Sequence, residues 1–358
     1  MLLIQGVFRS GTTALFRALR QDERLDCFYE PLHPDLPRHV HDADSGRPSH
    51  SKSPLYKEYL PLLEKTGMPF NAESPAWPFH LRADEEATAL SSYLNDLVGN
   101  DLAGNGPVGG RNDPLLQFNR AFWMAPWLAQ EFQGSAIVHL VRDPRSVVWS
   151  QLTSASGKRV RMNWPLVGRL LPFTSGALQR VFCEHAYFGA HQSGEYFEKG
   201  LQLFHAEQTD PITSKSLQRL TAVRGALPYV KALALWGAQV EVFHRHVQHA
   251  FGDRSLLLRY EDFCNAPCKS IQSIYALLDY AVPDPVREYA RSRIDTTRLR
   301  RWKEVDTAEQ SFREGVRRAQ IPSLMRELGY DPSQASSVTA RSLSANSDST
   351  VPTGFSDT

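Results

Sequence analysis

At 358 residues the chain is long enough for one large domain or two ordinary ones, either with a substantial core. Charged residues make up 22% of it and the formal net charge is only +1, which excludes a global field aimed at nucleic acid and requires any anion site to be local. Cys27, Cys183, Cys264 and Cys268 are too few for a disulfide scaffold, the N-terminus lacks the pattern of a signal peptide, and no apolar run approaches the roughly 18 residues of a membrane span. These features predict a soluble, cytoplasmic protein with reduced thiols.

Leu2 to Val7 is a short apolar run that predicts a buried strand, and Thr12 to Arg20, with Ala14, Leu15, Ala18 and Leu19 at helical spacing, predicts the helix that follows. The loop between them, Gly6-Val7-Phe8-Arg9-Ser10-Gly11-Thr12-Thr13, resembles a P-loop in setting as well as in letters. Unpaired N–H groups and the positive end of the dipole converge at such a helix start, Gly11 lets the backbone come close to an anion, and Thr12 and Thr13 add hydroxyls. A nucleoside-triphosphatase loop would carry Lys at position 12. Here Thr12 stands there and the cation comes three residues earlier, at Arg9, whose guanidinium forks onto two oxygens and needs no magnesium beside it. The plain alternative is a turn capped by Ser10 or Thr12 with Arg9 solvated.

Cys27 to Tyr29 predicts a second strand, with Glu30 at its end. His41 to Pro54 is polar and contains Gly and Pro, which predicts a loop. Val108 to Gly110 reads as a further strand, with Arg111 at its end facing the same edge as the first loop. Ala136 to Val141 is a strand that ends at Arg142, and Ser150 lies eight residues on, about two helical turns away. Arg142 and Ser150 could grip a second phosphate; the plain alternatives are an Arg142 paired with Asp143 or with a helix-end carbonyl and a Ser150 bonded to its own helix backbone.

Ser154 to Thr174 is basic, broken by Gly and Pro, and opens a helical insertion running from about 154 to 233. Within it, residues 158–173 mix Lys158, Arg159, Arg161 and Arg169 with Trp164, Leu166, Val167, Leu170, Leu171 and Phe173. That segment could lie on a membrane surface, close over an amphipathic acceptor or pack on the domain. Trp236, Val240, Phe243, Val247 and Phe251 form one helical stripe and Ile271, Ile274, Tyr275 and Leu278 another, with a strand at Ser255 to Leu258 between them. Residues 332–358 are rich in Ser and Thr and read as a disordered tail, leaving 1–331 as a single domain. Neither the Cys264 and Cys268 pair nor His244, His246 and His249, which do not share one helix face, reads as a metal site.

The strand and helix alternation predicts an α/β fold with a central parallel sheet covered on both faces. The two motifs together resemble the sulfotransferase family. Arg9, Ser10, Gly11, Thr12 and Thr13 are similar to its loop for the 5′-phosphosulfate, and Arg142 with Ser150 to its pair for the 3′-phosphate. Arg-Ser-Gly-Thr-Thr with Tyr29-Glu30-Pro31 downstream is closer to the carbohydrate and bacterial members than to the cytosolic aryl class. Leu257-Leu258-Arg259-Tyr260-Glu261-Asp262-Phe263 and Leu328-Gly329-Tyr330 resemble the family's C-terminal half.

The resemblance implies a P-loop-type three-layer fold, like that of the nucleoside triphosphate hydrolases, and 3′-phosphoadenosine 5′-phosphosulfate as co-substrate without a metal. It also implies a catalytic Glu after the second strand, which selects Glu30 as the base, with Arg9 neutralising the moving group. His33, three residues on, is the rival base, and His33 and Arg111 are candidates for substrate contact. The acceptor would be a hydroxyl of a carbohydrate, glycolipid or other small metabolite. A P-loop small-molecule kinase and a noncatalytic nucleotide-binding protein are the competing readings.

Overall fold

A computed structural model describes residues 1–33, 36–44, 55–60, 86–99, 112–155, 170, 173–174, 194–208, 210–294, 299, 301–304 and 306–333. Among them five strands, β1 (Leu2–Gly6), β2 (Leu25–Tyr29), β3 (Asp113–Phe118), β4 (Ala136–Val141) and β5 (Ser255–Arg259), form one sheet. Its order is β2-β3-β1-β4-β5 and every neighbouring pair is parallel. The helices in the first part are α1 (Thr12–Leu19), α2 (Leu36–Asp44), α3 (Thr88–Gly99), α4 (Ala125–Glu131) and α5 (Pro144–Ala155). After them come α6 (Glu195–Ala206), α7 (Pro211–Ala222), α8 (Pro228–Phe251), α9 (Tyr260–Asn265), α10 (Pro267–Ala276), α11 (Asp284–Arg293), α12 (Asp306–Arg318) and α13 (Pro322–Glu327).

β1 and β4 are buried at every position, which is why they appear in the sequence as near-continuous apolar runs. The register shows that the sheet is covered on both faces. Tyr29 aligns with Gln117, Gln117 with Ile4 and Ile4 with Val138, so these residues share a face, and the Tyr29 ring packs edge-on against Phe16 of α1, 5.1 Å away. His139, the next residue, points to the opposite face and meets Phe243 of α8 at 4.8 Å. Burial holds the His139 pKa down at about 3.

The predicted strand at Val108 to Gly110 lies outside the described residues. The sheet's third strand is Asp113–Phe118, whose apolar character is interrupted by Pro114 and a fully buried Gln117. Proline is tolerated at a strand start, where the ladder has just begun. The predicted loop at His41 to Pro54 is corrected at its start: His41 to Asp44 end α2, a helix anchored by Leu36 and Val40, four residues apart and both buried. Residues 45–54 lie outside the described residues, as do those of the expected tail from 334 on. In the insertion, α6, α7 and the start of α8 are helical as expected, and the buried pair Arg219–Glu241 (2.9 Å) joins α7 to α8. Phe173 packs on Trp149, Tyr229 and Phe312, while Leu170 is 46% exposed. No described helix is long and apolar enough to cross a membrane.

The C-terminal half braces the end of β4. Asp143 N–H donates to Glu261 Oε1 (3.1 Å) and Tyr330 O–H donates to Glu261 Oε2 (2.9 Å). Asp143 in turn accepts from the Arg145 N–H and guanidinium and so caps α5 ahead of Pro144. The motif around Arg259 to Phe263 is therefore a structural brace for the turn that carries Arg142. Burial pushes the Glu261 carboxyl above its ordinary 4.5, with the Asp143 charge adding to the shift.

Two predictions follow from this frame. A methyl at Gly6 would meet Leu140 O at 2.7 Å and collide with Ser10 Oγ, so Gly6→Ala should cost about 1–3 kcal/mol in chemical denaturation. A carboxyl whose folded pKa is raised contributes stability that is fully present below its unfolded pKa and is lost as pH rises through the folded one. The stability of Glu261→Gln relative to the parent should therefore rise as pH is taken upward from about 4.5, measured by denaturant titration at several pH values. A difference independent of pH would contradict it.

Candidate functional site

The chain passes from β1 through α1 to one side of the sheet and from β4 through α5 toward the other, so the crevice between the C-terminal ends of β1 and β4 is a topological switch point. The Gly6 to Thr13 loop leaves β1 there. Arg9 and Gly11 both have left-handed backbones (φ 76° and 102°), which turn the chain sharply into α1. Neither Ser10 nor Thr12 caps the helix: Gly11 is the N-cap residue, and there is no side-chain cap hydrogen bond among the described residues. Ser10 Oγ is buried without a hydrogen-bond partner among the described residues. An orphaned hydroxyl and uncapped N–H groups beside two glycines suit an anion with several acceptor oxygens.

Arg9 is exposed and donates from Nε to Ser150 Oγ at 2.8 Å. Arg142 donates from Nη1 to the carbonyl of Arg9 at 3.2 Å, and its guanidinium lies 4.8 Å from the centre of the Tyr260 ring. The two motifs thus meet across the crevice although about 130 residues separate them in sequence. Asp143 pairs with Arg145 and the Ser150 hydroxyl accepts from Arg9, while Arg142 does bond a backbone carbonyl, that of Arg9 in the loop. Tyr260 also packs on Gly11, where an added side chain would run into its ring. A cation–π contact of this kind contributes about 0.5–2 kcal/mol, enough to hold the Arg142 plane against the loop.

Glu30 follows β2 with a left-handed backbone (φ 45°) and is 5% exposed. Its Oε1 accepts from Asn119 Nδ2 at 2.6 Å and its Oε2 is ion-paired with Arg120 Nη1. Asn119 Oδ1 accepts from Thr12 Oγ1 at 2.9 Å, and Thr13 Oγ1 lies 2.7 Å from the hydroxyl of Tyr29, which is also hydrogen-bonded to Glu30. Both threonines that start α1 therefore connect to one carboxylate. Burial pushes the Tyr29 phenol well above its ordinary value, so it stays protonated.

His33 has a different setting. Its ring packs edge-on against His39 at 4.7 Å and faces Tyr56 at 6.4 Å, and its backbone N–H donates to the Glu30 carbonyl. Arg111 lies outside the described residues.

Asn119, Arg120 and Tyr260 were missed by the motif reading. The first two follow β3, a strand that the apolar pattern does not mark; a polar pair after the run Pro114-Leu-Leu-Gln-Phe118 is the available signal. Tyr196, at the start of the insertion's α6, is hydrogen-bonded to Gln239 and lies within electrostatic reach of both Arg120 and Glu30. A residue of the insertion is therefore close enough to feel the charge of the carboxylate. His244 and His246 lie 3.8 Å from carboxylate oxygens of Glu327 and Asp210, and burial lowers both pKa values, which favours the neutral rings.

A solved structure, the sulfotransferase domain from the curacin biosynthetic pathway, aligns over 92% of this chain and 98% of its own, at 15% identity and a TM-score of 0.43. No curated protein matches the sequence. A family model described as the sulfotransferase family matches residues 2–192, more than half of the chain. That span takes in β1, the Arg9 loop, Glu30 and the Arg142 turn, and on it the chain belongs to the sulfotransferase family, whose chemistry is the transfer of sulfonate groups.

Proposed function

We propose that the protein transfers sulfonate from 3′-phosphoadenosine 5′-phosphosulfate to a hydroxyl of a carbohydrate, glycolipid or other small metabolite. The contact between Arg9 and Ser150 carries this reading: it unites the loop suited to a phosphosulfate with the strand end suited to a 3′-phosphate, as one donor with both groups requires. Arg9, Ser10, Gly11, Thr12 and Thr13 would hold the phosphosulfate end and Arg142 with Ser150 the 3′-phosphate. The donor supplies the sulfonate and leaves as adenosine 3′,5′-bisphosphate.

The remaining chemistry belongs to this chain. Arg9 and the N–H groups at the start of α1 offset the charge on the leaving oxygen, doing the work that a metal ion does elsewhere. Glu30 takes the acceptor hydroxyl's proton while that oxygen bonds to sulfur and the sulfur–oxygen bond to the donor breaks. The Glu30 carboxylate already accepts three hydrogen bonds, from Asn119, Arg120 and Tyr29, but its two oxygens have about four lone-pair sites between them and so keep one for the proton. Glu30 is favoured over His33 because Glu30 is tied to Thr12 and Thr13 while the His33 ring packs on other rings. Tyr196 and the insertion would form the acceptor side.

Adenosine 3′,5′-bisphosphate should raise the melting temperature, by about 2.7 kcal/mol of added stability at a hundredfold excess over Kd, and Arg142→Ala should erase the shift. If ATP with magnesium stabilises the protein and the bisphosphate does not, a kinase reading replaces this one. Glu30→Gln should keep the bisphosphate shift and lose turnover of labelled donor by roughly 10²- to 10⁴-fold. Full turnover in that variant would remove Glu30 from the reaction.

A further inference from the structure

We infer that Asn119 and Arg120 are positioning residues that hold the Glu30 carboxylate for proton transfer, and that Asn119 is the link keeping the donor loop and the base in one register. This rests on the reading of Glu30 as the base.

Glu30 cannot aim itself. Its backbone is left-handed, a conformation that costs a residue with a side chain of order 1 kcal/mol or more, and its carboxylate is buried, where an unpartnered charge is strongly disfavoured. The two adjacent residues after β3 resolve this by taking one oxygen each, Asn119 on Oε1 and Arg120 on Oε2. A side chain gripped at both oxygens by a single turn has little freedom to rotate.

The Asn119 amide has one orientation consistent with its surroundings. An ionised carboxylate only accepts, so the amide nitrogen must face Glu30, leaving Oδ1 for Thr12 Oγ1 at 2.9 Å and Gln117 Nε2 at 3.1 Å. One amide therefore bonds both the first residue of α1 and the base. The turn itself is fixed by two fully buried glutamines in the sheet: Gln117 donates to Asn119, and Gln5, at the end of β1, accepts from Ala121 N–H at 3.1 Å. Buried polar groups in adjacent central strands are costly unless fully bonded. The Gln117 nitrogen and the Gln5 oxygen both go to the residues that follow β3, while Gln5 Nε2 donates to Gly6 O at 3.3 Å and Gln117 Oε1 has no hydrogen-bond partner among the described residues.

The test is a kinetic cycle on the full chain. Arg120→Met, Arg120→Gln, Arg120→Lys and Asn119→Ala are made alone, and Arg120→Met is also made in Glu30→Gln. Turnover is read as release of adenosine 3′,5′-bisphosphate from the phosphosulfate donor, with a panel of simple methyl glycosides and with water alone as acceptor. The bisphosphate thermal shift reports folding and donor-site integrity.

Arg120→Met should lower kcat by roughly 10- to 100-fold with little change in donor KM, and Arg120→Lys, which restores a single cationic donor, should recover most of the loss. Asn119→Ala should lower kcat and raise donor KM together, because it releases Thr12 as well as Glu30. In the Glu30→Gln background, Arg120→Met should cost almost nothing further, since its partner is already neutral. An unchanged kcat in Arg120→Met, or in Arg120→Gln should Arg120→Met lose the thermal shift, overturns the inference, as does an equal loss with and without Glu30. Absence of any donor turnover in the parent protein, or full turnover in Glu30→Gln, rejects the underlying reading of the base instead and takes the inference with it.

Discussion

Parallel strands all end at one edge, and here the two central ones release the chain in opposite directions. Everything at the site follows from that constraint. The start of α1 and the Arg142 turn open onto the same crevice, bringing uncapped N–H groups and two guanidiniums together without any need for a charged protein. Close approach of the two strand ends is possible only because Gly6 has no side chain beside Leu140 O. Tyr260, arriving from β5, then fills the space over Gly11 and supports Arg142.

Buried charge in this molecule divides by role. Asp143 and Arg145 satisfy one another, and the Glu261 carboxylate accepts from the Asp143 N–H and from Tyr330, so this group shapes a turn and presents its polar atoms to protein alone. Arg219 and Glu241 likewise join two helices of the insertion. Glu30 differs because its partners come from the turn after β3 and lead through Asn119 and Tyr29 to the threonines at the start of α1. Such ion pairs add little net stability once desolvation is counted, and their consequence here is a fixed geometry between an anion loop and a carboxylate.

Family membership rests on a match that ends at residue 192, so it covers the Arg9 loop, Glu30 and the Arg142 turn but not the C-terminal half. Those later parts nonetheless reach the site. Tyr196 lies near Arg120 and Glu30, and Tyr260 covers the loop.

Short-range pattern was enough to read the four strands that are continuous apolar runs, the helices with a clear stripe, the Arg9 loop and the Arg142 turn, because their character depends on neighbours within a few residues. It misread β3, whose Pro114 and buried Gln117 make sense only when the strands on either side are present to bond them, and it took the end of α2 for loop because the apolar contacts of Leu36 and Val40 are tertiary. Asn119 and Arg120 were lost with β3. The amino-acid sequence by itself determined an α/β protein with two candidate anion-binding turns and a candidate carboxylate. Which strands lie side by side, that Arg9 reaches Ser150, and that Asn119 and Arg120 hold Glu30 were decided only by the tertiary structure, since each of those contacts joins residues 88 to 141 positions apart and no local propensity encodes such a pairing.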